Sequence, residues 1–225
     1  MRDAHVVVVG AGMGGLVSAL LLSHQGVRVT VVEGAQAPGG KIRQLDVNGC
    51  AIDSGPTVFT MRWVFDELFD AVNASFDREL KIQPLDVLAR HAWADGSALD
   101  LFADVQASND AIARFAGLAE AKNFERFCAK ARSVYDTLQA PYIQSPSPSV
   151  VQIMKALGPR GLGVLASLGA MSSLWDSLGR YFKDQRMRQL FARYATYCGS
   201  SPWLAPATLM LIAQVEMDGV WSIEG

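Results

Sequence analysis

The 225-residue sequence holds only three histidines and three cysteines. His5, His24 and His91 are scattered, as are Cys50, Cys128 and Cys198, and no Cys-x-x-Cys pair occurs. That sparsity argues against a zinc site and against a disulfide framework. An odd, widely spaced cysteine set fits a reducing compartment, with the thiols expected to be free and buried. Charge is also scarce. Twenty Lys and Arg against 22 Asp and Glu give a formal net charge of −2, and charged residues make up 19% of the chain. No basic footprint for nucleic acid can be built from that balance. Uninterrupted apolar runs are missing as well. Met1 to Leu22 is broken by Gly10, Gly12, Gly14 and Gly15 and lacks an Ala-x-Ala cleavage site, so it is not read as a signal peptide. Tyr194 to Val215 carries no charge, but Gly199, Pro202 and Pro206 interrupt it. No transmembrane helix is expected.

What is present is apolar residues. They form half of the chain, and the mean hydropathy is +0.18. Such a composition excludes intrinsic disorder, because enough apolar surface exists to offset chain entropy. The length corresponds to about one and a half domains. The high hydropathy points to apolar surface with a job beyond the core.

His5 to Val9 contains four consecutive valines, the pattern of a strand buried on both faces. Gly14 to His24 reads as a helix whose Leu16, Ala19, Leu20 and Ser23 face the sheet, and Val27 to Glu33 reads as a second buried strand. Strand, glycine turn, helix and strand make a right-handed βαβ unit. Ile42 to Val47 and Cys50 to Asp53 flank Asn48-Gly49, a hairpin dipeptide. Arg62 to Ala74 is helical, with Val64, Phe65, Leu68, Phe69 and Val72 on one face. Lys81 to Val87, Leu88 to Trp93 and Ala98 to Phe102 suggest an antiparallel meander, the last turn at Asp95-Gly96. From about Ala107 the period becomes helical, over Asn109 to Phe115, Glu120 to Leu138 and Asp184 to Tyr197. Ala140 to Ser149 is a Pro/Ser connector with a hinge near 145. Gly161 to Leu178 has apolar residues at helical spacing. Two readings stay open there: a core helix, or an apolar surface that meets a membrane or lines a lipophilic tunnel.

The run Val8 to Gly15 (VVGAGMGG) follows a strand and opens a helix, the context that gives a Gly-x-Gly-x-x-Gly match its meaning. Gly10 permits the tight turn, Gly12 lets backbone approach a pyrophosphate, and Gly15 allows close helix–strand contact. The helix start offers N–H groups to phosphate. Glu33 ends the second strand, where a carboxylate accepts from ribose hydroxyls and repels a 2′-phosphate. The ligand is therefore an adenine dinucleotide of the NAD or FAD type. Pro38 to Arg43 (PGGKIR) and Asp53 to Thr57 (DSGPT) follow, more than a simple NAD-binding half needs. Lys41 and Arg43 are either phosphate neighbours or solvated surface charges. Gly55-Pro56 is either a turn returning to the cleft or an ordinary turn.

These blocks together resemble the flavin amine oxidase and phytoene desaturase superfamily. The stretches DSGPTVFTMR from Asp53, ARHAWADG from Ala89 and FARYATYCGSSPWLAP from Phe191 narrow the resemblance to bacterial carotenoid desaturases, the branch acting on hydroxylated or methoxylated acyclic carotenoids. The resemblance implies an α/β, FAD-binding Rossmann-like domain with an inserted, largely helical α+β substrate domain. It implies residues 1–80 as the first part of the FAD domain, 81–205 as a substrate and membrane-facing domain, and 206–225 as a return to the FAD domain. Gly10, Gly12, Gly15, Glu33, Gly39, Gly40 and Lys41 would contact FAD, with Gly55, Pro56 and Thr57 near the flavin. The implied activity is removal of two hydrogens from a C–C bond of a lipophilic carotenoid, by a cytoplasmic enzyme peripheral on the inner membrane. Family members continue well past residue 225, so the chain is expected to be incomplete at its C-terminus and to need the missing half. Other readings on the same scaffold are an amine oxidase, a carotenoid isomerase or an inactive fragment that only binds lipid or a partner. An NAD dehydrogenase is disfavoured by the later glycine blocks. No metal is expected. No catalytic base can be named; Asp136, His91 and Tyr197 are more often structural or surface groups.

Overall fold

A computed structural model describes residues 4–56, 58–147, 149, 151, 155, 158 and 172–224. These fall into two compact units. One comprises the chain up to Pro84 together with the residues from Trp221 onward, and the other runs from Leu85 to Val220.

The first unit opens as the valine pattern predicts. Strand β1 (His5–Val9) leads into helix α1 (Met13–His24) and strand β2 (Arg28–Val32). The two strands pair in parallel, with His5 opposite Arg28 and Val9 opposite Val32. The expected double burial is not met. Val7, Val31 and Val32 are exposed, and Val9 is 84% exposed. Among the described residues this sheet has only two strands, so nothing lies beside or above most of its valines. On α1, Gly15, Val17, Ala19, Leu21 and Leu22 are the partly buried positions, while Leu16, Leu20 and Ser23 are exposed. The helix is apolar nearly all round, so hydrophobic spacing alone did not single out the packed face.

Strands β3 (Gln44–Val47) and β4 (Cys50–Asp53) form the predicted hairpin, with Val47 opposite Cys50. Asn48 and Gly49 both have positive φ (54° and 83°), as a two-residue type I′ turn requires. Strand β5 (Phe59–Thr60) precedes helix α2 (Arg62–Ala71) and the short helix α3 (Phe76–Glu79). Helix α2 stops short of Ala74 because Asn73 takes a left-handed conformation, φ 57°. Phe65, Leu68 and Phe69 are partly buried as expected, but Val64 is exposed. Phe59, Phe65 and Phe69 gather around buried Phe76, with ring centroids 5.4–6.0 Å from it. Strand β6 (Ile82–Pro84) does not continue into a meander. It pairs antiparallel with β9 (Val220–Ile223), Ile82 opposite Ile223, in a sheet of order β5-β9-β6. A partner so distant in sequence leaves no local periodicity to reveal it. Apart from Ala11 and Phe76, no described residue of this first unit is buried.

The second unit is built around a real core. Strands β7 (Val87–Ala92) and β8 (Ala98–Phe102) form an antiparallel hairpin through Asp95-Gly96, with an irregularity between Val87 and Ala89. Helix α4 (Val105–Ala116) is capped by Asp104, whose Oδ1 accepts from Ala107 N–H at 2.6 Å. Gly117, at φ 94°, turns the chain into α5 (Leu118–Leu138). The helix runs on through a wide turn over Gln139–Ile143, so the first residues of the expected connector are helical. Most of the expected helix from Gly161 lies outside the described residues. Its end is α6 (Leu174–Leu178), where Leu174 and Leu178 are fully buried. Helix α7 (Gln185–Ala192) tightens into a 3₁₀ segment, Arg193–Cys198, that Gly199 ends in the left-handed region. A further 3₁₀ turn, Ala207–Met210, leads into α8 (Leu211–Met217). No helix among the described residues is long and apolar enough to cross a membrane.

Phe127 stands at the centre, 4.6 Å from Phe191 and 5.5 Å from Phe182 between ring centroids. All three rings are buried. Ala207, Met210, Ile212 and Ala213 belong to the same core. Residues 206–220 thus lie in the second compact unit, where the apolar face of α8 is buried. The cysteines also depart from expectation. Cys50 and Cys198 are exposed, and only Cys128 is largely enclosed. Burial pushes its thiol up to about 12, which makes it a poor nucleophile.

One buried ion pair sits beside that core. Glu216 on α8 is 2% exposed. Its carboxylate accepts two hydrogen bonds from Arg193, at 2.7 and 2.5 Å. The Tyr197 hydroxyl donates to it at 2.8 Å and the Tyr194 hydroxyl at 3.3 Å. Such saturation is what a buried carboxylate needs.

Two outcomes test this packing. Phe127→Ala should cost about 3–5 kcal/mol, read as a lower urea midpoint of the helical circular-dichroism signal. Burial, and then the charge of Glu216, push the Tyr197 phenol up to about 12. The folded state therefore holds this proton where an unfolded phenol, with a pKa of about 10, would lose it. The contribution is complete below the unfolded value and is lost as pH rises through about 12. The absorbance difference at 295 nm between the protein and Tyr197→Phe should titrate in that range.

Candidate cofactor site

The glycine turn between β1 and α1 is held by two close approaches. Gly10 N–H continues the parallel ladder to Val32 C=O at 2.7 Å, and Gly10 itself lies at φ 98°. A Cβ on Gly15 would fall 2.0 Å from the Gly10 carbonyl oxygen. No side chain caps the helix at Gly12, and its first turn holds no acidic residue. The N–H groups of that turn therefore lack side-chain partners, the condition for receiving an anion.

Glu33 follows β2 directly. Its Oε2 accepts from Ala11 N–H at 2.6 Å, and its Oε1 accepts from Ala35 N–H at 2.8 Å. The Ala35 and Ala11 amides, in that order, hold the carboxyl below its usual range. Glu33 thus fastens the glycine turn as well as standing where a ribose would meet it. Each carboxylate oxygen keeps a free lone pair for such a hydroxyl. This clamping role was not foreseen from spacing, which placed Glu33 at the strand end but could not show where its oxygens point.

The Pro38 to Arg43 segment comes back to the same turn. Gly39 N–H donates to Ala11 C=O at 2.8 Å, and Gly12 and Gly39 form a parallel bridge. Gly39 and Gly40 have φ of 126° and 63°. A Cβ on Gly40 would stand 3.1 Å from Gly12 Cα, and one on Gly55 would stand 2.1 Å from Lys41 C=O. Gly40, Lys41, Arg43, Ser54, Gly55 and Pro56 line an open cavity of about 460 Å³. The structure thus brings Gly10, Gly12, Gly15, Glu33, Gly39, Gly40, Lys41, Gly55 and Pro56 into one neighbourhood. Thr57 lies outside the described residues.

The other polar candidates lie in the helical unit. Asp136 is exposed on α5, and Tyr197 is engaged with Glu216. His91, on β7, is half-buried, and burial followed by the Arg193 charge lowers its pKa.

Comparison with known proteins agrees with this geometry. Residues 8–73 match the model of an NAD(P)-binding Rossmann-like domain. The whole chain is 57% identical to a hydroxyneurosporene desaturase of Rubrivivax gelatinosus, of which it spans 43%. It is 45% identical over 98% of its length to a hydroxyneurosporene desaturase of Rhodobacter capsulatus, of which it spans 44%. A putrescine oxidase structure superimposes on 99% of the chain and 46% of its own, with a TM-score of 0.62 at 16% identity. Cyclohexylamine oxidase from Brevibacterium oxydans does so over 99% and 47%, with a TM-score of 0.56 at 17% identity. The resemblance to bacterial carotenoid desaturases is borne out by the sequence relatives. The flavin amine oxidase-type fold is borne out by the solved structures. The chain spans less than half the length of the curated relatives it matches.

The tight turn generates a direct test. Gly15→Ala places a methyl against backbone that cannot move aside, so it should abolish retention of an adenine dinucleotide. Gly14→Ala, where a Cβ meets nothing within 4 Å, should leave retention within about twofold. Equilibrium dialysis with the dinucleotide reads both.

Proposed function

We propose that this chain holds the FAD-binding start and part of the substrate-binding body of a desaturase. Its substrate would be an acyclic carotenoid carrying a hydroxyl or methoxyl group. The 57% identity across all 225 residues to a hydroxyneurosporene desaturase carries the reading. The glycine cradle supports an adenine dinucleotide, and the return of the Gly39-Gly40 and Gly55-Pro56 blocks to it favours FAD. A methyl on Gly15 or Gly55 would collide with backbone, and Glu33 stands at the strand end with lone pairs to spare. Gly10, Gly12 and Gly15 would hold the pyrophosphate, with Glu33 on the ribose. Gly39, Gly40 and Lys41 would lie along the dinucleotide, Lys41 offering a point charge to phosphate. Gly55, Pro56 and Thr57 would sit near the flavin.

Bound FAD would accept the two electrons released when a C–C bond becomes C=C. The protein's own part would be to orient an unreactive C–H bond and exclude water, which fits a sequence in which no Ser-His-Asp set or paired carboxylate stands out. The exposed valines of β1 and β2 are surface that a further part of a flavin domain would cover, consistent with the greater length of the relatives. We place the protein on the cytoplasmic face of the inner membrane as a peripheral protein, since its substrate would dissolve in the bilayer.

The test uses protein isolated from its own cells, with its intact mass compared with 24.3 kDa to fix what was assayed. The expected outcome is a flavin absorbance spectrum and a carotenoid product shifted to the red by added conjugation. Bound flavin with an unchanged polyene spectrum would defeat the desaturase reading.

A further inference from the structure

In the helical unit, residues Ser200 to Pro206 form a loop that is anything but loose. Trp175 N–H donates to Pro202 C=O at 3.0 Å, and Leu174 N–H donates to Ala205 C=O at 2.8 Å. Ala207 N–H reaches Ser172 C=O at 2.9 Å, and Ser173 bridges Pro206. Within the loop, Ala205 N–H and Leu204 N–H both donate to Ser201 C=O. Ala205 and Ala207 are buried in the core. The loop is thus pinned along its base to the start of α6, yet its tip carries Trp203 at 61% and Leu204 at 83% exposure. Holding two large apolar side chains in water on a fixed scaffold is costly unless something else takes them up.

The surroundings say what that is. The Trp203 ring packs at 5.0 Å on Trp175. The guanidinium of Arg188 lies over the other indole, 5.2 Å from its centroid, pressed against Gly179. Arg188 has no carboxylate partner among the described residues, and its Nε is buried without a hydrogen bond. Arg180, exposed beside Gly179, also lacks an ion-pair partner among the described residues. The acidic group nearby, Asp176, is already bonded to the Ser173 hydroxyl at 2.7 Å. An indole and a leucine projecting from a rigid tip, with unpaired guanidinium groups behind them, match the bilayer interface. The apolar side chains enter the acyl boundary, the indole sits at headgroup level, and the arginines meet lipid phosphates. Two projecting side chains fall well short of the roughly 800 Å² per partner that a stable protein interface buries.

We infer that the Pro202-Trp203-Leu204 tip, backed by Trp175 and Arg188, is the membrane-docking point of this protein, seated on anionic phospholipid. The inference rests on the peripheral placement proposed above and assigns it to particular residues. It would hold the apolar body of the helical unit against the phase in which a carotenoid dissolves.

Vesicle co-sedimentation of the intact protein tests it, using phosphatidylcholine alone and phosphatidylcholine with phosphatidylglycerol. Tighter binding to the anionic vesicles is expected. Trp203→Ala with Leu204→Ser should weaken binding to both by at least about tenfold. Arg188→Gln should weaken only the anionic case, by about fivefold. Leu204→Ser alone alters an exposed side chain and keeps the test valid if the double variant misfolds. Brominated lipid should quench tryptophan fluorescence, and Trp203→Phe should remove most of that quenching. Wild-type protein that ignores every vesicle would overturn the peripheral placement and this inference together. Wild-type binding that the variants share would overturn the inference alone. So would protection of Trp203 from an aqueous quencher in the intact protein without vesicles, which would show the tip covered by further chain of the length the relatives have.

Discussion

The approach of Gly15 to the Gly10 carbonyl is the constraint on which the first unit depends. With no side chain at Gly15, α1 can start directly against the end of β1, and its first turn is left open toward an anion. The same closeness lets Glu33 reach Ala11 N–H and lets Gly39 bond back to Ala11 C=O. Three segments separated in sequence are thereby gathered on one turn. A single methyl group at Gly15 would push them apart, since the atom it meets is backbone rather than a flexible side-chain end.

The two units obtain their order in different ways. In the first, hydrogen bonds and close backbone contacts organise a unit that buries almost none of its own apolar side chains. In the second, apolar burial dominates, and the ring cluster of Phe127, Phe182 and Phe191 is enclosed by helices from widely separated parts of the chain. Glu216 shows how a charge survives beside such a core. Arg193, Tyr194 and Tyr197 supply its partners from a single 3₁₀ segment, whose three-residue turn stacks Tyr194 and Tyr197 on one side with Arg193 next to them. His91 has Arg193 and Glu216 within electrostatic reach, while its Nδ1 is buried without a hydrogen-bond partner.

The proposed chemistry needs little from the protein in the way of acids and bases. It needs a cradle for a dinucleotide and a means of drawing an apolar substrate to it. The glycine cradle meets the first requirement with backbone atoms, which is why so few charged side chains are involved. In the proposal the second would fall to the helical unit, whose pinned Trp203–Leu204 tip holds apolar surface without the entropy cost of ordering a floppy loop.

Local features were legible in the sequence because their causes are local. Consecutive valines marked β1, Asn48-Gly49 set the β3–β4 hairpin, and Gly10, Gly12 and Gly15 marked the turn. Identity along the whole chain carried the likeness to carotenoid desaturases. What required the third dimension was long-range. The pairing of β6 with β9 joins segments far apart in sequence. Residues 206–220 serve the helical core because the face of α8 is buried there. The exposure of β1 and β2 follows from the absence of neighbouring strands among the described residues, which no valine count reveals. Glu33 clamps the turn through two backbone amides, an arrangement set by where the chain folds back. The sequence determined which short segments could form and which ligand chemistry the glycines admit. Only the tertiary structure decided which faces are covered and which charges find partners, because burial and hydrogen-bond partnership depend on residues that adjoin in space alone.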